Sequence, residues 1–234
     1  MRKCFRNIWM IVLLFVITLP AFAERQFETI DLGGGKSLSY GYHLPTDFDP
    51  EQTYPVLIGP GEVDAESKSG FFWRKNMPEK LDWILIETMS FFEGDAVKNT
   101  TKFLDHLQSR FKVEGGRFHV VCFSANSSPI FGVVLAIPER FQSATGIPGH
   151  PSTTDKNVLR ALKNTRTQFI VGENDGYWRA ASEKAHKILT ELEYDSIIDI
   201  IPNGGHILRD LIGEGFLKKM ERMRGKGEKG SSKS

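Results

Sequence analysis

Residues 119–129 read HVVCFSANSSP, and this stretch decides the fold. An apolar run over 120–123 ends at a serine, and small and polar residues follow before Pro129. The pattern predicts a buried strand that turns sharply into a helix. Ser124 at that turn is either a nucleophile held above a sheet or a residue that caps the following helix, and the stretch alone favours neither.

The residues around Ser124 differ from the usual pattern of a nucleophilic serine on such a turn, G-x-S-x-G. Cys122 and Asn126 occupy the two glycine positions. Cysteine is small, and asparagine tolerates a left-handed backbone better than most residues, so a tight turn remains feasible. Ser127 and Ser128 lie beyond the turn and are poorer candidates.

Apolar runs and amphipathic helical patterns alternate along the rest of the chain. The alternation predicts an α/β fold whose mostly parallel sheet carries helices on both faces. Glycines 33–35 join the first two runs, which predicts an antiparallel hairpin at one edge. The ligand crevice of such a sheet lies at the carboxyl ends of its strands. The predicted strands are 27–32, 37–44, 54–59, 82–88, 118–123, 143–147, 167–172 and 196–201, and the predicted helices are 95–111, 129–136, 180–192 and 207–223.

A nucleophilic serine needs a base, and position selects among the six histidines. His206 follows the last apolar run, in IIPNGGHILRD, and directly precedes the last predicted helix. His150 follows strand 143–147 at the same edge and is a reserve candidate. His119 begins its strand, so it belongs to the opposite edge. The other three, which lie in the hairpin or on helices, are His43, His106 and His186.

The base in turn needs an acid that orients it. Asp175 follows strand 167–172 and precedes a glycine, with Glu173 as the alternative and a simple Asx turn as the structural interpretation. Ser124, Asp175 and His206 thus follow three separate strands in a chain order known for Ser-Asp-His enzymes. An oxyanion hole would draw one N–H from Ala125. A second would come from Gly61 or Glu62, since Pro60 carries none.

The chain resembles the α/β-hydrolase superfamily of the esterase type. It is similar to the branch that includes dienelactone hydrolases, carboxylesterases and polyhydroxybutyrate depolymerases. The resemblance rests on SLSYGYHLPTDFDPEQTYPVLIGPG (37–61), on the residues around Ser124, and on VGEND (171–175) and NGGH (203–206). It implies a serine hydrolase that cleaves carboxylic esters through an acyl-enzyme. The family's His-Gly is replaced by GPGE at 59–62, so the alternative is a catalytically inactive hydrolase-fold binding protein; a peptidase of the same fold is a third, weaker option.

The expected site is open. About 19 residues separate strands 143–147 and 167–172, which leaves room for a loop and one helix but for no large lid. An open site suits a small ester or the end of a polymer. Tyr177 and Trp178 are weak candidates to line it, and Phe72 and Trp73 are either lining residues or core. No metal-ligand or phosphate-loop motif is present, so neither a metal nor another cofactor is expected.

The termini predict an exported protein, periplasmic or secreted and bacterial. Residues 1–23 combine a basic head, an apolar stretch and the small-residue site AFA, as a cleaved signal peptide does, with an uncleaved anchor as the alternative. After cleavage no stable membrane span is expected. Residues 24–224 are predicted to form one hydrolase domain and residues 225–234 a flexible tail. Cleavage would leave Cys122 as the only cysteine, without an intramolecular disulfide, and change the formal net charge from +1 to −2. The nearly neutral composition does not favour nucleic-acid binding, which would rest on a basic face. The sequence does not predict the oligomeric state.

Overall fold

The computed structural model describes residues 25–61, 72–73, 78, 80–88 and 94–225. The predicted signal peptide at 1–23 lies outside the described residues, as does the predicted tail from residue 226 onward. Within the described residues, no helix combines the length and the apolar character that a membrane crossing requires.

The predicted strands form one sheet in which eight strands are described. They are β1 (Gln26–Gly33), β2 (Lys36–His43), β3 (Val56–Gly59), β4 (Ile84–Glu87), β5 (Phe118–Cys122), β6 (Phe141–Gly146), β7 (Arg166–Gly172) and β8 (Ser196–Ile201). Their order across the sheet is β1-β2-β4-β3-β5-β6-β7-β8. The hairpin β1–β2 is antiparallel, and β2 also pairs antiparallel with β4. All pairs from β4 to β8 are parallel, which confirms the predicted sheet.

Helices cover both faces of the sheet. The described helices are α1 (Ala96–Arg110), α2 (Ser127–Ala136), α3 (Lys156–Leu159), α4 (Gly176–Glu191) and α5 (Gly213–Arg224). Successive strand residues point to opposite faces, so Val120 joins the apolar core beneath α1, α2 and α4, whereas Val121 joins the core beneath α5. The strands are therefore apolar without alternation because both of their faces are buried.

The last helix begins six residues later than predicted. Residues 207–212 form turns, and α5 starts at Gly213. Leu208 and Leu211 have the spacing of a helix, but they anchor the turns in the core beneath α5. Gly213 has a φ of 54°, which favours glycine, and its N–H donates to the Phe72 carbonyl at 2.7 Å. His206 consequently lies in a turn-rich loop and not at the start of a helix.

Two other helices begin earlier than predicted. Helix α2 starts at Ser127, so Pro129 falls in its first turn, where the missing N–H costs no helical hydrogen bond. Helix α4 starts at Gly176, directly after Asp175. The segment between β6 and β7 holds only α3 and a 3₁₀ turn, Arg160–Asn164, in agreement with the short connection that was expected there.

Candidate active site

Three polar side chains meet at the carboxyl edge of the parallel strands. Ser124 lies two residues after the end of β5, Asp175 three residues after β7, and His206 five residues after β8. Because these strands run parallel, their carboxyl ends share one edge, and chain separations of 31 and 82 residues close to hydrogen-bond distance.

The Ser124 backbone is held in a conformation that non-glycine residues rarely adopt. Its φ is 53°, and its N–H donates to the Pro148 carbonyl in the loop after β6, at 2.8 Å. The Asn126 side chain closes the turn because its Oδ1 accepts from the Phe123 N–H at 2.7 Å. Asn126 itself has φ −77° and ψ −5°, so the left-handed residue of the turn is the serine and not the asparagine. The sharp turn presents the Ser124 side chain at the edge of the sheet.

Cys122 is larger than the usual glycine, and the loop after β6 leaves space for its side chain. Cys122 is buried, and its thiol donates to the Thr145 carbonyl at 3.4 Å. A methyl group on Gly149 would lie 3.0 Å from Cys122 Sγ and 2.8 Å from Ser127 Cβ, so only glycine fits there without displacing them. Burial also raises the pKa of the Cys122 thiol, which keeps it protonated and poorly nucleophilic.

Ser124, His206 and Asp175 form one chain of hydrogen bonds. Ser124 Oγ lies 2.9 Å from His206 Nε2, and Asp175 Oδ2 lies 2.8 Å from His206 Nδ1. An ionised carboxylate only accepts, so His206 Nδ1–H donates to Asp175 and the lone pair on Nε2 faces the serine hydroxyl. The Asp175 side chain is 12% exposed and that of His206 is 38% exposed, so the carboxylate is shielded while water can reach the imidazole.

Glu173, the alternative acid, has a different partner. Its Oε2 accepts from the Asn203 N–H at 2.9 Å. The Asn174 N–H donates to the Gly204 carbonyl at 2.8 Å, which adds a second bond between the two loops. Glu173 therefore ties the loop that carries the acid to the loop that carries His206, three residues before the imidazole.

The two predicted oxyanion donors lie on adjacent strand ends. Ala125 is exposed and is the second residue of the 3₁₀ turn Ser124–Asn126 after β5. The first N–H groups of a helical turn have no carbonyl partner within it, so that of Ala125 can face a ligand. Gly61 is buried two residues beyond β3, the strand that pairs with β5. Glu62, the alternative to Gly61, lies outside the described residues.

Aromatic rings border the imidazole. The ring of Trp178 contacts those of both His206 and His150, with centroids at 5.6 and 5.3 Å, and Tyr177 beside it is 69% exposed. Phe123 faces His206 at 5.6 Å. His150, the reserve base, has Nδ1 2.8 Å from the Pro151 carbonyl. The sequence did not predict that Trp178 contacts both histidines.

Other candidate residues do not join this chain of hydrogen bonds. Phe72 and Trp73 are core residues at 1% exposure, stacked or tilted against Phe216, and they pack beneath the carboxyl ends of the strands without being exposed there. His119 is buried at the start of β5, with Nδ1 2.7 Å from Ser143 Oγ. The part of the chain that the structure describes holds no group of three His, Cys, Asp or Glu side chains arranged to bind a metal.

Comparison with known proteins identifies the fold. No family model matches the sequence, and no curated protein does. Among solved structures, a thermostable esterase has a TM-score of 0.61 at 16% identity over 77% of this chain and 55% of its own. A feruloyl esterase module from Clostridium thermocellum, complexed with sinapinate, has 0.61 at 12% identity over 80% and 83%. A dipeptidyl aminopeptidase IV from Bacteroides ovatus, described as putative, has 0.61 at 16% identity over 87% and 36%, so this chain spans about a third of its length. The chain has the α/β-hydrolase fold.

Proposed function

We propose that the protein is an exported serine hydrolase that cleaves carboxylic esters. The observation that carries the proposal is the hydrogen-bonded chain from Ser124 Oγ through His206 to Asp175, at 2.9 and 2.8 Å. A serine hydroxyl becomes a nucleophile when a base takes its proton, and an orienting carboxylate stabilises the imidazolium that results.

The geometry supports a two-step reaction. His206 Nε2 takes the Ser124 proton while Oγ bonds to the ester carbonyl carbon, and the carbonyl electron pair moves onto oxygen. The N–H groups of Ala125 and Gly61 are the proposed donors to that oxyanion. When the carbonyl re-forms, the bond to the alcohol oxygen breaks and His206 protonates the leaving alcohol. Water then attacks the acyl-enzyme by the same proton path, which frees the acid and restores Ser124.

Several features support an ester of modest size or the end of a polymer as substrate. The connection between β6 and β7 is short, and the His206 imidazole is partly exposed. Tyr177 and Trp178 offer an aromatic surface beside the base, which favours acyl or alcohol groups with a flat apolar part. Esterases of the same fold, one of them complexed with sinapinate, make aromatic esters a reasonable first panel. No cofactor is needed for these steps.

Labelling with a fluorophosphonate tests the assignment of the nucleophile. The parent protein should be labelled at Ser124, and Ser124→Ala should abolish the label. Ser128→Ala is the matched control because Ser128 is exposed on the same segment, one turn beyond the candidate, and should leave labelling intact. Labelling that survives in Ser124→Ala, or that is absent from the folded parent, contradicts the proposal, and the latter favours an inactive binding protein.

A substrate panel tests the reaction class. Short-chain nitrophenyl esters, acetylated sugars and feruloyl esters are compared with dipeptide nitroanilides, since a dipeptidyl aminopeptidase is also among the similar structures. We expect turnover of esters and none of the anilides. The reverse pattern would identify a peptidase. Export is tested separately by locating the protein in its host and sequencing the mature N-terminus, which we expect at Glu24.

A further inference from the structure

A buried ion pair lies beside Gly61, just beyond β3. Glu87, the last residue of β4, is 0% exposed, and its Oε2 lies 2.5 Å from the Arg25 guanidinium. Its Oε1 accepts from Trp73 Nε1–H and lies 3.1 Å from His43 Nε2. A carboxylate this deeply buried is costly unless cations and donors surround it.

Arg25 reaches Glu87 across an intervening strand. It precedes β1, whereas Glu87 ends β4, and β2 lies between them. The guanidinium passes over Gly41 of β2, whose register partner is Glu87. A methyl group at Gly41 would lie 3.1 Å from Arg25 Nε and 3.5 Å from Glu87 Oε2. The missing side chain at Gly41 therefore opens the path for the ion pair.

The Glu87 carboxylate lies directly against a proposed oxyanion donor. A methyl group on Gly61 would lie 2.8 Å from Glu87 Cβ and 3.1 Å from Oε2. Gly61 lies two residues beyond β3, and Ser124 lies two residues beyond β5, the strand that pairs in parallel with β3. A negative charge at this position would oppose an oxyanion forming above Gly61, because charges interact strongly where water is excluded.

We propose that Arg25 is a positioning residue that neutralises Glu87, so that the loop at Gly61 can stabilise an oxyanion. Glu87 positions Trp73 and Gly61, and Arg25 neutralises the negative charge that Glu87 would otherwise place near the transition state. The proposal rests on the proposed function, and it assigns part of the site to the segment that precedes β1.

The test separates charge from structure by kinetics and by a transition-state mimic. Arg25→Met should lower kcat for 4-nitrophenyl acetate on the order of tenfold or more with little change in KM. The same variant should lower the affinity for phenylboronic acid by a similar factor, because this compound binds serine as a tetrahedral anion. Adding Glu87→Gln to Arg25→Met should recover most of both losses, since the opposing charge is then gone. Arg25→Lys keeps a cation, so its losses in kcat and in boronate affinity should be smaller than those of Arg25→Met.

Two further variants distinguish the loss of the ion pair from a general effect of mutation on folding. Gly41→Val keeps both charged residues but blocks the guanidinium, and it should change kcat and boronate affinity in the same direction as Arg25→Met. Lys112→Met is the matched control, because it removes a cation from an exposed pair with Glu51 and should leave both values unchanged. Thermal unfolding of every variant establishes that it is folded.

Two results overturn the proposal. One is a folded Arg25→Met or Gly41→Val protein with the parent's kcat and boronate affinity. The other is a double variant, Arg25→Met with Glu87→Gln, that is folded and as impaired as Arg25→Met alone, since the charge of Glu87 would then not be the cause. A parent protein that neither reacts with fluorophosphonate nor hydrolyses esters refutes the proposed function itself, and this inference with it.

Discussion

At the scale of single residues, Ser124, the proposed nucleophile, has a strained backbone. A φ of 53° places its Cβ close to a carbonyl oxygen and costs a non-glycine residue roughly 1–2 kcal/mol. The strain persists because Pro148 and Asn126 hold both sides of the turn by hydrogen bonds. Strain of this kind is characteristic of functional sites, where geometry is maintained at the expense of stability.

At position 124, glycine should therefore give a more stable protein than alanine. We expect Ser124→Gly to have a free energy of unfolding about 1 kcal/mol higher than Ser124→Ala, because only glycine adopts a positive φ without penalty. Urea denaturation measures the difference. Position 128 is the control: it lies in helix α2, where alanine is favoured over glycine, so the order of the two variants should reverse there. Equal stabilities at position 124 would show that the turn relaxes.

The two carboxylates near His206 should respond differently to neutralisation. Asp175→Asn removes the acceptor that fixes the imidazole tautomer, and we expect kcat to fall on the order of 10³-fold or more. Glu173→Gln keeps an oxygen that can accept from the Asn203 N–H, so the loss should be much smaller. Steady-state kinetics on a nitrophenyl ester decides the matter. A larger loss in Glu173→Gln would exchange the two roles.

At the scale of elements, the turn that carries Ser124 depends on a loop that follows a different strand. The loop after β6 accepts the Ser124 N–H at Pro148 and leaves room for Cys122 and Ser127 at Gly149. Cys122 and Asn126 replace the two glycines that are usual in such a turn, and Gly149 of the neighbouring loop provides part of the space that those glycines would have left. The strand, the turn and the neighbouring loop consequently act as one unit.

A methyl group at position 149 should disturb that unit. We expect Gly149→Ala to lower both stability, by about 1–3 kcal/mol, and kcat, because Ser127 and Cys122 must shift away. Gly132→Ala is the matched control, since position 132 lies in α2 with nothing within 4 Å and alanine should stabilise the helix there. Chemical denaturation and ester hydrolysis of both variants provide the comparison. An unchanged kcat in Gly149→Ala would show that the turn at Ser124 does not depend on the loop at position 149.

At the scale of the whole molecule, the two edges of the sheet have opposite characters. The carboxyl edge carries polar, partly exposed side chains, whereas the other edge buries His119 at 4% exposure against Ser143 and Trp83. Burial, followed by the charges of Arg224, Arg166 and Arg117, lowers the pKa of His119 to about 3. The folded protein thus keeps this imidazole neutral where an unfolded chain would protonate it.

Acid should weaken the fold through His119. Between the unfolded pKa of about 6.5 and the folded pKa of about 3, the unfolded chain binds the extra proton, so stability falls as the pH falls, by up to about 1.4 kcal/mol per unit. Urea titrations at pH 6.5 and 5 measure this slope above the range of most carboxylates. His119→Gln should flatten it. An unchanged slope in that variant would assign the effect to other groups.

Much of the fold follows from local sequence patterns, whereas the details of the site depend on distant contacts. Short, largely apolar segments identified β3 to β8, and the glycine turn at 33–35 identified the hairpin of β1 and β2. The order of Ser124, Asp175 and His206 identified residues that the fold brings together. The turns at 207–212 resembled a helix because Leu208 and Leu211 have helical spacing while serving as loop anchors. The tie between Arg25 and Glu87 joins residues far apart in the chain, so no local pattern reveals it.

The position of β8 has a consequence for how the molecule loses function. Strand β8 is the last in the order of the described strands, among which it pairs only with β7, and its residues are half-buried or exposed. A strand with one neighbour opens more readily than the centre of a sheet, and His206 follows β8 by five residues. Catalysis would then report the fraying of one strand and not global melting. In hydrogen exchange under mild denaturant, amides of β8 should lose protection together with activity, while those of β5 stay closed.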